Sequence, residues 1–207
     1  MQPIHTLMQG IATLVGAQGC VFAAQDLRAL LPALSDSAFK TLLSRAAQGG
    51  NAGVQRSVHR GLHSGVKLQR VCRGVYAAGL GMQTPNSSGL LLFHVAALLR
   101  AHAFNYISLE TALSAQGLIS QVPMNWISVM SSGRSSVVPC GQWGTIEFVH
   151  TKRRPDAVAS QLHYDSACRL WRASPTLALR DMRVTRRSMD LVDAQALGNL
   201  ATEEEST

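Results

Sequence analysis

The chain has 207 residues, 46% apolar and 15% charged, which supplies a core and excludes a disordered chain. Nineteen Lys and Arg against twelve Asp and Glu give a formal charge of +7, which suits a polyanionic partner without naming one. Residues 90–99, the longest apolar run, are interrupted by His94 and fall short of the ~18 residues of a membrane span, and Met1-Gln2-Pro3-Ile4-His5 lacks a signal-peptide pattern.

The charge is unevenly placed. Residues 1–80 hold Arg28, Lys40, Arg45, Arg56, Arg60, Lys67, Arg70 and Arg73 against Asp26 and Asp36, a net of +6, and the remainder carries +1. No acid occurs between Ser37 and Leu109. Such asymmetry is expected where one part of a chain faces nucleic acid; compositional drift is the alternative.

Residues 4–15 place Ile4, Leu7, Met8, Ile11, Leu14 and Val15 at helical spacing. Val21-Phe22 fits a short strand or a helix lead-in, and residues 24–31 form a second helix stopped by Pro32. A third helix starts with Ser35 as N-cap and Asp36 at its positive end, and Gly49-Gly50 stops it. Phe39, Leu42, Leu43 and Ala46 make its buried stripe. The other side shows Ser37, Lys40, Thr41, Ser44, Arg45 and Gln48, an acid-free face suited to base edges and phosphates; a merely solvated helix face is the alternative.

Residues 49–65 are rich in Gly, Arg and His and contain Arg56 and Arg60. His59 and His63 have metal-pair spacing but no carboxylate or cysteine to complete a site. Residues 66–76 alternate with period two and read as a basic β-hairpin carrying Lys67, Arg70 and Arg73. A basic helix followed by a basic hairpin is the winged helix-turn-helix layout. Ser37, Lys40, Thr41, Ser44 and Arg45 are then expected in the major groove, with Arg56, Arg60, Lys67, Arg70 and Arg73 toward phosphates.

Residues 81–89 have linker composition, and residues 90–200 predict a small mixed α/β domain, giving an α+β protein overall. Its expected elements are an apolar helix over 90–103, a short helix capped by Ser108, strands at 126–130, 137–138, 145–150 and 170–173, a helix opened by Ser174-Pro175, and a final helix over 189–200. Residues 201–207 form an acidic tail.

Catalytic signatures are sparse. Walker, GxGxxG, GxSxG and HExxH patterns are absent. Glu147 with Lys152 falls short of a nuclease core, because the two cannot share one face of a strand and the nearest upstream acid, Glu110, lies in a helical segment. His150, His163, Asp165 and Cys168 carry metal-binding atoms without an ordering that unites them. Cys20, Cys72, Cys140 and Cys168 follow no ligand spacing and suit small buried thiols in a reducing cytoplasm. No enzyme activity, cofactor or metal is expected.

Tyr106-Ile107-Ser108-Leu109-Glu110-Thr111-Ala112-Leu113 with Gly117-Leu118-Ile119 and Pro123 resembles the Tyr-x-Ser-x-x-Ser-Ala-Leu…Gly-Leu-Ile…Pro stretch of AbiEi-type antitoxins. Three further stretches are similar to that family in the same order along the chain: Arg73-Gly74-Val75-Tyr76, Trp126-Ile127-Ser128-Val129 through Gly144-Thr145-Ile146-Glu147-Phe148, and residues 173–181. Thr176 stands where the family has Glu. The resemblance implies a cytoplasmic autorepressor that binds inverted repeats in its own promoter through the winged domain. It also implies an antitoxin that counteracts a nucleotidyltransferase-type toxin. A protein-interaction module that meets an acidic partner or the toxin without specific DNA binding is the alternative reading.

Overall fold

The computed structural model describes residues 3–49, 65–81, 84–86, 89–119 and 125–193. They form an α+β protein of two compact units, Met1–Leu91 and Leu92–Thr207.

The first unit runs α1 (Pro3–Gln18), β1 (Val21–Ala23), α2 (Ala24–Ala29), α3 (Asp36–Gly49), β2 (Lys67–Cys72) and β3 (Val75–Gly79). Its antiparallel sheet has the order β1-β3-β2. The helical spacing in α1 turns Leu7 and Ile11 into a core completed by Phe22, Leu27, Phe39, Leu43 and Leu68. Full burial of each such side chain is worth about 1.5–3 kcal/mol. Ser35 caps α3 as expected, its hydroxyl accepting from the N–H of Ala38 at 3.3 Å. The hairpin reverses over Arg73-Gly74, where Gly74 takes a φ of 78° that other residues resist. The Gly74 carbonyl accepts from Ala24 N–H at 2.8 Å, tying the turn to the start of α2.

The second unit contains α4 (Leu91–Leu99), β4 (Asn105–Ile107), α5 (Leu109–Ser114), β5 (Trp126–Ser131), β6 (Ser136–Pro139), β7 (Thr145–His150), β8 (Leu162–Asp165), β9 (Leu170–Ala173) and α6 (Pro175–Val184). Its six-stranded sheet has the order β6-β7-β5-β4-β9-β8, with β5 parallel to β7 and β4 parallel to β9. Register places Ser128, Glu147 and Val137 on one face, and Tyr106, Met130 and Trp171 on that same face. Asp181 of α6 bonds Tyr106 there, and α5 packs on α6. Phe148 alternates to the opposite face, where the Arg100 guanidinium beyond α4 lies 4.6 Å from its ring centroid.

Four local expectations need correction. The apolar helix stops at Leu99 rather than near residue 103, because Asn105 Nδ2 donates to the Arg100 and Ala103 carbonyls at 2.7 Å and holds a turn. Ser108 precedes α5, but its hydroxyl makes no capping bond and donates instead to Asp181 at 2.8 Å. Strand β8 was unforeseen; it forms by pairing with β9. Residues 189–193 are not helical: Val192 bridges Ile119, and the Asp193 N–H donates to the Leu118 carbonyl. The rest of that expected helix lies outside the described residues.

Candidate nucleic-acid interface

Helix α3 buries Phe39, Leu43 and Ala46 and exposes Ser37, Lys40, Thr41, Ser44 and Arg45. At about 100° per residue, Ser37, Thr41 and Ser44 crowd the centre of the outer face, with Lys40 on one shoulder and Arg45 on the other. Leu42, assigned to the buried stripe from sequence, is only half-buried and lies on the Arg45 shoulder.

Lys67, Arg70 and Arg73 are all exposed on the hairpin. Arg70 is partly committed, since its Nε donates to the Cys72 carbonyl at 3.2 Å. Arg56 and Arg60, with His59 and His63, lie outside the described residues.

The free charge of this unit is sharper than its formal sum. Asp26 accepts the Ala23 N–H at 2.8 Å at the start of α2, and Asp36 pairs with Arg28 at 3.2 Å. Arg28 also donates to the carbonyls of Leu31 and Leu34 and lies 5.4 Å from the Phe39 ring centroid. It therefore clamps the α2–α3 connection. In the sequence Arg28 counts only as charge; its place one turn ahead of Pro32, at the end of α2, is the signal of this role. Lys40, Arg45, Lys67, Arg70 and Arg73 have no carboxylate partner among the described residues.

A cleft of about 400 Å³ opens beside α3. Pro3, Leu34, Ala38 and Leu42 form its apolar wall, and Ser37, Thr41 and Arg45 its polar rim.

In the second unit, five carboxylates are paired with arginines. Arg187 reaches Glu147, which also accepts from Ser128 Oγ at 3.1 Å, and its other nitrogen lies 3.8 Å from Glu110. The two carboxylates thus converge, which the sequence did not indicate, but a guanidinium sits between them. Asp181 is fully buried; Tyr106 and Ser108 donate to its Oδ2, and Arg153 Nε stands 3.2 Å from Oδ1. Burial raises the Asp181 carboxyl above its ordinary range, against the hydroxyl donors and Arg153. Burial, then the Asp181 charge, also pushes the Tyr106 phenol upward.

Of the four candidate metal-binding residues, the fold unites only two. Strands β5, β4 and β9 separate His150 on β7 from His163 on β8, whereas Asp165 accepts the Cys168 N–H at 3.0 Å. Burial, then Asp165, pushes the Cys168 thiol up to about 11, away from reactive thiolate. None of the four cysteines is in a disulfide; Cys140 and Cys168 are buried, Cys20 and Cys72 half-buried. Among the described residues, no group of three or more His, Cys, Asp or Glu is placed to hold a metal ion, and no helix is long and apolar enough to cross a membrane. No protein-family model, curated protein or solved structure matches the chain.

Proposed function

We propose that the chain is a sequence-specific duplex-DNA-binding repressor whose first unit acts as a winged helix-turn-helix. The observation that carries this reading is the outer face of α3, where Lys40 and Arg45 flank Ser37, Thr41 and Ser44 and neither cation has a carboxylate partner among the described residues. The order α1-β1-α2-α3-β2-β3, with β3 central in its sheet, supports it by setting α3 and a basic hairpin in one small unit. Together with the resemblance to AbiEi-type antitoxins, it extends to autorepression in the cytoplasm and to an antitoxin role for the second unit against a nucleotidyltransferase-type toxin.

The test is a gel-shift titration on DNA from upstream of its own gene against a scrambled duplex at moderate salt. Preference for the upstream DNA, falling linearly on a log–log plot against salt, is the expected result. Equal affinity for both duplexes would sink the proposal. The exposed Tyr164–Trp171 pair, with ring centroids 5.4 Å apart, favours a protein contact as a second reading. Co-purification with the neighbouring gene's product, without DNA preference, would select it.

A further inference from the structure

Among the described residues, the cleft beside α3 combines an apolar wall with a single cation, and that combination bears on which bases it meets. Thr41 Oγ1 donates to the Ser37 carbonyl one turn back, at 3.0 Å. Its hydroxyl hydrogen is therefore spent on the helix, and its methyl is the group it adds to the rim. Ser37 Oγ is likewise engaged, 3.3 Å from Ser35 Oγ. With Ala38 and Leu42 alongside, this shoulder of α3 presents mainly carbon. Among the described residues, Arg45 is the only charged group lining the cleft, and it has no hydrogen-bond or ion-pair partner there.

In the major groove the C5 methyl of thymine is the one apolar feature of the base edges. Guanine offers the paired O6 and N7 acceptors that suit a guanidinium. We infer that the cleft reads a thymine methyl against Ala38, Thr41 and Leu42, next to a guanine read by Arg45. This rests on the proposed DNA-binding role of α3 and names the base step it selects. The apolar wall and the tied hydroxyl are what a row of polar contacts alone would not need.

The test begins with a duplex selected by the full-length protein from a random-sequence library. Fluorescence anisotropy then compares that duplex, a scrambled one, and versions in which each thymine in turn becomes uracil, which lacks only the methyl. Uracil at one position, beside a guanine, should weaken binding about fourfold, the effect of burying one methyl. Thr41→Ser keeps the bond to the Ser37 carbonyl and should erase most of that difference, while Thr41→Val should preserve it; thermal melts report whether each variant folds.

If the selected duplex binds no better than the scrambled one, the DNA-binding role fails, and the base assignment with it. If selection succeeds but uracil is tolerated everywhere, the cleft assignment alone is overturned. A uracil effect that survives Thr41→Ser overturns it equally.

Discussion

Arg45 and Lys67 carry the same charge at positions with different geometry. Arg45 stands at the rim of the α3 cleft with five fixed donors, whereas Lys67 begins the edge strand β2, exposed to solvent. Arg45→Ala is expected to reduce discrimination between duplexes by about 1–3 kcal/mol. Lys67→Ala should weaken all duplexes alike and lower the salt slope by about one. Binding titrations at several salt concentrations separate the two. Asp165 supplies a pH-dependent prediction. Burial alone would raise its carboxyl; the Cys168 N–H and Arg172, whose Nη2 lies 2.7 Å away, outweigh that and hold it at about 2. A depressed folded value means that its stabilisation is complete above the ordinary carboxylate value of about 4 and is lost as pH falls through about 2. Arg172→Met should therefore flatten the loss of stability across that window, as read from urea midpoints.

At the scale of elements, the α2–α3 connection and the start of β7 are the tightest constraints. Arg28→Ala removes donors from the Leu31 and Leu34 carbonyls and should cost about 1–3 kcal/mol. Because its charge is turned inward to the connection and to Asp36, the salt slope of DNA binding should not change in this variant. A parallel fall in that slope would assign Arg28 to phosphate instead. Gly144 has a φ of 117°, and a Cβ there would lie 2.0 Å from the Asn125 carbonyl oxygen, which accepts from the Thr145 N–H. Gly144→Ala should destabilise by about 3 kcal/mol or more, seen as a lowered Tm, since rigid backbone has to move. The helices of the first unit were legible because their apolar residues recur at three and four, with Ser35 at a real cap; in the second unit Ser174 likewise caps α6. The β2–β3 hairpin was legible from its alternation. Strand β8 was not: His163 and Tyr164 are both exposed, so its burial alternates weakly and only pairing with β9 makes it a strand.

Across the molecule, the balance of charge has different outcomes in the two units. In the first, Lys40, Arg45, Lys67, Arg70 and Arg73 face no carboxylate among the described residues; in the second Glu110, Glu147, Asp156, Asp165 and Asp181 each face an arginine. Asp181 joins α6 to β4 across 75 residues of sequence through Tyr106. Asp181→Ala should cost about 3–5 kcal/mol in chemical denaturation, by stranding two buried hydroxyls and the Arg153 charge. The sequence by itself determined the helices of the first unit, the hairpin, the basic face of α3 and the acid-free span, because these depend on neighbours three or four residues apart or on composition. Only the tertiary structure decided the order of the six strands, the convergence of Glu110 and Glu147 on Arg187, and the tying of Thr41 and Arg28 to backbone carbonyls. Those depend on which distant segments close on one another and on where each side chain turns, and a pattern of residue types does not carry that information.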